Sequence, residues 1–171
     1  MSKVITILRH GEAESSSDID YNRALTERGL LGCFSAAKAL VDFMPRNHSL
    51  DALYHSPFIR TTQTAHNFAH YFSSQVNTLI PTCSPTDYLL GHAEPVEIGR
   101  WLDTLTANNI LLISHQPLVS NLAAWLVDGL RGSQYSDTRH DFYPASMIII
   151  EADFISQGCG VIKLIHHFNQ V

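Results

Sequence analysis

Apolar and polar positions divide this chain into short buried runs and longer periodic stretches. Val4 to Leu8 is a compact apolar and β-branched run and reads as a buried strand. A polar stretch, Glu12 to Arg23, follows it. Thr26 is placed to cap a helix whose apolar positions Leu30, Phe34, Ala37, Val41 and Met44 recur at helical spacing, with Pro45 as its stop. "LDALYHS" predicts a second strand. Ser56-Pro57 then predicts a helix start, with Ser56 as N-cap and Pro57 at the first helical position. Ala65, Phe68, Ala69 and Phe72 give that helix its buried face. "NTLIP" predicts a short third strand, and "TCSPTDYLLGHAEP" a loop. Val96 to Leu105 reads as a short amphipathic helix with Ile98, Leu102 and Leu105 inward. "NILLISH" is the strongest strand signal. From Pro117 a further helix places Leu118, Leu122 and Leu126 on one face. "ASMIIIEAD" and "GVIKLIHHF" predict a closing antiparallel hairpin around "FISQGCG". Strands alternate with helices up to about residue 130. The expected class is α/β: a three-layer sandwich, with a mostly parallel central sheet between helices.

Composition narrows the picture. With 171 residues, 45% of them apolar, the chain suits one domain with a sizeable core, expected to span 1–171. A net charge of −5 supplies no bulk field toward nucleic acid or anionic lipid. The N-terminal apolar run is too short for a signal-peptide core, and no segment reaches membrane-span length. A soluble, cytoplasmic monomer is the expectation. Cys33, Cys83 and Cys159 are widely spaced, without a C-x-x-C pair, so reduced thiols are expected rather than a structural zinc site.

Candidate chemistry gathers at matching places. Arg9, His10 and Gly11 follow the first strand. Arg60 lies in the first turn of the helix after the second. His115 follows "NILLIS". In open α/β sheets, ligands bind beyond the carboxyl ends of strands, so these three places can converge. Two arginines and two histidines with no carboxylate among them suit a dianionic phosphoryl group. "SPFIR" and "SHQPL" are also helix starts, which add free N–H groups and positive partial charge. Gly11 permits either close backbone approach or a positive-φ turn. No GxSxG, P-loop or cysteine phosphate cradle is present, which leaves an imidazole as candidate nucleophile. Neighbouring arginines favour neutral His10, the form that can attack phosphorus, and stabilise charge on the equatorial oxygens. They also oppose a metal at these histidines, and no metal or other cofactor is expected.

"LRHGEAE", "SPFIRTTQTA" and "ISHQPLV", in that order, resemble the three motifs of the histidine phosphatase superfamily, the phosphoglycerate-mutase-like fold. "RALTERG" is similar to the stretch that leads into that family's first helix. The likeness covers Val4 to about Gly129, with a weaker match at "PASMIIIEAD". The resemblance implies that His10 is phosphorylated during turnover. It implies that Arg9, Arg60 and His115, with Gln116 beside it, hold the phosphoryl group. Within the superfamily the chain looks most like the small SixA-type phosphohistidine phosphatases. It is short, and only 55 positions separate Arg60 from His115, where larger members insert helices over the pocket.

That likeness implies hydrolysis of phosphohistidine on a protein partner, a histidine phosphotransfer domain of a signalling relay. Many relatives that cleave esters place an acid after the second motif. Here Asp87 is the nearest candidate, with His92 and Glu94 in the same loop. Two alternatives stay open: a phosphomonoesterase for a small molecule or phosphoserine protein, and a non-catalytic module that binds phosphoproteins. The loop "EAESSSDIDYN" is acidic and serine-rich, unlike a cradle for a small, highly anionic sugar or glycerate phosphate; otherwise it reads as solvated.

Overall fold

The structure is a computed structural model that describes residues 2–15, 19–44, 49–76, 81–132, 134 and 140–168. Six strands form one mixed sheet: β1 (Lys3–Arg9), β2 (Ala52–His55), β3 (Cys83–Pro85), β4 (Asn109–Ser114), β5 (Met147–Ala152) and β6 (Val161–His166). Their order across the sheet is β3-β2-β4-β1-β5-β6. The pairs β3–β2, β2–β4 and β4–β1 are parallel, whereas β5 runs antiparallel to both β1 and β6. The helices are α1 (Glu27–Phe43), α2 (Ile59–Gln75), α3 (Pro95–Thr104) and α4 (Leu118–Val127).

Strand alternation builds two cores. Ile5, Ile7, Ile110, Leu112, Ile148 and Ile150 face α3 and α4 through Ile98, Leu102, Leu118, Leu122 and Leu126. Leu8, Leu111, Ile113, Met147 and Ile149 face α1 and α2 through Ala36, Ala37, Leu40, Ala65, Phe68 and Phe72. The result is the expected three-layer α/β sandwich, and the closing hairpin is also as expected. Among the described residues no helix is long and apolar enough to cross a membrane.

Several local expectations change. The buried stripe of α1 is Gly29, Gly32, Cys33, Ala36, Ala37 and Leu40, whereas Leu30, Phe34 and Val41 are only half-buried. Small residues face inward because α1 lies close to its neighbours. A Cβ on Gly32 would come within 2.7 Å of the Ala145 Cβ. Bulkier side chains therefore flank the contact, and Phe34 meets Tyr71 with ring centroids 5.8 Å apart. Thr26 caps α1 as expected, accepting from the Gly29 N–H at 3.0 Å. Ser56 does not cap α2. That helix begins at Ile59 with Phe58 as N-cap, because the Ser56 hydroxyl, the atom that would cap, is engaged by His115. A strand forms at Cys83–Pro85, inside the expected loop. "NTLIP" and Pro45 fall, apart from Pro81, outside the described residues.

Topology positions the site. β1 and β4 are neighbours, yet α1 follows β1 on one face and α4 follows β4 on the other. This is a topological switch point, which opens a crevice at the strands' carboxyl ends. The register pairs Arg9 with Ser114, so His10 and His115 leave the sheet side by side.

Candidate functional site

The Arg9-His10-Gly11 segment is held from three sides. The His10 N–H donates to the Ser114 carbonyl at 3.0 Å. The Gly11 N–H donates to Thr64 Oγ1 at 3.1 Å, and that hydroxyl donates to the Arg60 carbonyl at 2.6 Å. Gly11 also packs on Gly29, where an added Cβ would come within 2.6 Å of the Gly29 carbonyl oxygen. Of the two uses expected for Gly11, the close approach is the one observed. Glu12 anchors the next step through Arg28 Nη1 (2.6 Å) and the Thr26 hydroxyl (3.0 Å). The first part of the acidic loop is thus pinned to the start of α1.

His10 is 8% exposed. Its Nδ1–H donates to the Gly11 carbonyl at 2.7 Å. A carbonyl can only accept, so this bond puts the ring proton on Nδ1 and leaves a lone pair on Nε2. Burial pushes the His10 pKa down to about 3, with His115, Arg60 and Arg9 acting in the same direction. His115 lies next to it, ring centroids 5.2 Å apart. The Arg60 Nε–H donates to His115 Nδ1 at 3.2 Å, so the His115 proton sits on Nε2, which donates to Ser56 Oγ at 2.8 Å. Burial, with Arg60 and then Arg9 in support, lowers the His115 pKa to about 4. Both imidazoles are neutral at pH 7, with opposite tautomers.

The two arginines complete the cluster. Arg60 is 6% exposed, and its guanidinium carbon lies 4.8 Å from the Phe58 ring centre. Phe58 meets the His115 ring edge at 4.9 Å and Tyr21 at 5.0 Å. Arg9 Nη1 donates to the Phe142 carbonyl at 2.7 Å. Its Nε–H is buried without a hydrogen-bond partner among the described residues. A buried unmade hydrogen bond costs about 1–3 kcal/mol, so an acceptor brought to this donor is favoured.

Asp20 is the residue that sequence reasoning missed. Arg60 Nη1 donates to its carbonyl oxygen at 2.7 Å, and Arg60 Nη2 donates to its Oδ2 at 3.0 Å. Arg23 Nη1 donates to Oδ1 at 3.1 Å. The Arg60 hydrogen bond holds the Asp20 carboxyl below its usual range, with Arg23 adding to this. A carboxylate in an acidic, serine-rich loop carries no spacing signal that points to an arginine forty positions away. Ser56 and Thr64 were likewise readable only as helix-start and helix-face residues.

Gln116 stands apart from the other candidates. Its amide N–H groups donate to Ser120 Oγ (2.8 Å) and the Phe142 carbonyl (3.4 Å), and its buried Oε1 is unpaired among the described residues. In this orientation its free group is an acceptor, which does not suit a phosphate oxygen. It shares the Phe142 carbonyl with Arg9 instead. Asp87 opens a short 3-10 helix (Asp87–Leu89) after β3 and is exposed. No hydrogen bond or ion pair among the described residues joins it to the cluster. Its loop nevertheless borders His115. Ser114 Oγ donates to the Leu89 carbonyl at 2.6 Å, and a Cβ on Gly91 would lie 3.8 Å from the His115 Cβ.

Comparison with known proteins sets this arrangement in a family. Residues 5–79 match the model of the histidine phosphatase superfamily (branch 1). Over 147 residues the chain is 31% identical to the phosphohistidine phosphatase SixA homolog of Haemophilus influenzae, covering 84% of each protein. The fold is similar to that of the protein histidine phosphatase SixA complexed with tungstate (TM-score 0.77, 24% identity, 95% of each chain). It is also similar to the phosphoglycerate mutase of Plasmodium falciparum (TM-score 0.65, 16% identity, 98% of this chain and 90% of that one). The chain belongs to the histidine phosphatase superfamily and has the phosphoglycerate-mutase-like fold. Its likeness to the Haemophilus influenzae relative places it with the hydrolases of that superfamily.

Proposed function

We propose that this protein is a cytoplasmic phosphatase, one domain acting as a monomer, that removes phosphoryl groups from phosphohistidine on a protein partner, such as a phosphotransfer domain. The observation that carries this reading is the tautomer of His10. A neutral, buried imidazole with its proton committed to the Gly11 carbonyl has a lone pair on Nε2, beside two arginines. The Haemophilus influenzae relative, a phosphohistidine phosphatase homolog, supports the substrate class.

The chemistry proceeds in two displacements. His10 Nε2 attacks phosphorus in line. The Nε2–P bond forms, the P–N bond to the substrate imidazole breaks, and the leaving nitrogen takes its proton from solvent. Arg9 and Arg60 hold the equatorial oxygens and stabilise their charge in the transition state, and His115 joins them by exchanging Ser56 Oγ for a phosphoryl oxygen as the acceptor of its Nε2–H. The unpaired Nε–H of Arg9 gains an acceptor when the phosphoryl group arrives. Water then attacks the phosphohistidine on His10, releasing inorganic phosphate and restoring the imidazole. Gln116 acts here by holding the Phe142 carbonyl that orients Arg9.

The test is phosphate release from a phosphorylated phosphotransfer domain, compared with simple phosphomonoesters. The wild type should release phosphate from the protein and accumulate acid-labile phosphate on His10, seen as added mass on the intact chain. His10→Ala should do neither, and unchanged release by that variant overturns the mechanism. The ester reading draws support from the loop that borders His115. If Asp87→Asn slows ester cleavage strongly while phosphohistidine turnover is unchanged, Asp87 serves as proton donor to an alkoxide leaving group.

A further inference from the structure

Arg60 is nearly buried, but the carboxylate it holds is not: the Asp20 side chain is 59% exposed against 8% for Arg60. Asp20 therefore marks the solvent end of the cationic cluster. A guanidinium has five N–H donors. Here one goes to His115 Nδ1 and two go to Asp20. Among the described residues two remain for phosphoryl oxygens, so a phosphoryl group can bind while Asp20 stays in place. Asp20 is also fixed through its neighbour. Tyr21 packs on Phe58, the ring that lies against both Arg60 and His115. The turn is thus held to the site by a charge contact and an aromatic contact.

In-line attack from buried His10 sends the leaving group away from His10, out toward solvent. Asp20, exposed and bonded to the buried Arg60, stands on that solvent side of the cluster. We propose that Asp20 sets the charge selectivity of the site, disfavouring phosphoryl groups whose carrier bears negative charge close to phosphorus and favouring neutral or cationic carriers. This inference rests on the reading of the cluster as a phosphoryl site. Arg23, on the far carboxylate oxygen, is the opposing charge and weakens the effect without cancelling it. One unit charge about 6 Å away, in a medium between protein surface and bulk water, changes binding by roughly threefold to tenfold. The effect shrinks as salt is added.

The experiment is calorimetric titration of the intact protein with two non-hydrolysable probes, phenylphosphonate and 4-carboxyphenylphosphonate. They share the phosphoryl anion and differ by one carboxylate on the carrier ring. The readout is the ratio of their dissociation constants. Asp20→Asn keeps an oxygen for Arg60 but removes the charge, and should shift the ratio toward the carboxylated probe by about threefold to tenfold. Arg23→Gln removes the shielding cation and should shift it the opposite way. Opposite signs distinguish an electrostatic role from a disturbed loop, which would move both variants alike. A ratio unchanged in Asp20→Asn, or shifted in the same direction by both variants, overturns the inference and leaves the phosphoryl site intact. If neither probe binds the wild type, the phosphoryl reading itself falls and takes this one with it.

Discussion

Burying two neutral histidines ties stability to pH, and His10→Gln isolates the contribution of the first. An unfolded histidine titrates near 6.5, whereas native His10 titrates at about 3 and His115 at about 4. A base with a depressed native pKa binds fewer protons folded than unfolded below pH 6.5. Its contribution is complete above 6.5 and is lost as pH falls toward the native value. At pH 5 the protonated form of the unfolded imidazole exceeds the neutral form about thirtyfold, while both native rings remain mostly neutral. Each ring therefore costs about 2 kcal/mol between pH 8 and pH 5, and the two together about 4. The depressed carboxyls of Asp20 and Glu12 keep their contributions at pH 5, since their usual range lies lower. His55 and His166, whose pKa values burial also lowers, add in the same direction as His10. The assay is urea unfolding at both pH values, in phosphate-free buffer. With a slope of about 2 kcal/mol per molar urea, His10→Gln should shrink the midpoint difference between pH 8 and pH 5 by about 1 M. An identical difference in wild type and variant refutes the claim that His10 is held neutral.

Three further outcomes follow from contacts around the site. Thr64→Val leaves the Gly11 N–H buried without its acceptor and should cost about 1–3 kcal/mol, read by thermal or urea unfolding; a smaller loss means that another group takes over that N–H. Gly29→Ala drives a methyl into the Glu12 carbonyl oxygen, a contact with no flexible end to yield, and should cost toward the upper end of about 1–3 kcal/mol with a matching drop in Tm. Ser56→Ala removes the hydroxyl that holds the His115 ring in position before the phosphoryl group takes over its Nε2–H, so kcat should fall about tenfold with little change in KM; an unchanged kcat shows that Arg60 alone fixes the ring.

The parts of the site legible in sequence are those announced by element boundaries. Apolar runs that stop at Arg9-His10-Gly11 and at His115 mark strand ends, and α/β topology brings strand ends to one edge. The adjacency of β1 and β4 is a matter of pairing over a hundred residues, and local pattern does not encode it. The α1 stripe shows a different limit. Hydrophobic spacing selects Leu30, Phe34 and Val41, but close packing selects the glycines, alanines and Cys33 beside them. Ser56 shows a third. A serine before proline reads as a helix cap, yet its hydroxyl is engaged by the His115 Nε2–H, and the helix starts two residues later. Asp20 is the furthest from sequence logic, because a side chain that closes a site across the fold needs no periodicity at all.

The reversed direction of β5 has a consequence for how the site can diversify. Parallel strands deliver chain leaving the sheet, and their following helices present N–H groups to the crevice. β5 delivers chain entering it, so the residues before its first position arrive at the same edge from outside. They bring carbonyls to Arg9, Phe142 orienting its guanidinium and Ser146 accepting from its N–H, while the Ala145 N–H donates to the His10 carbonyl. One wall of the site is thus an inbound segment whose described residues 140–146 are not helical. Exchange of the side chains in that segment re-aims Arg9 while the pairing of β1 with β4 stays in place, so long as Phe142 keeps its core position and Ala145 and Ser146 keep their backbone bonds to His10 and Arg9.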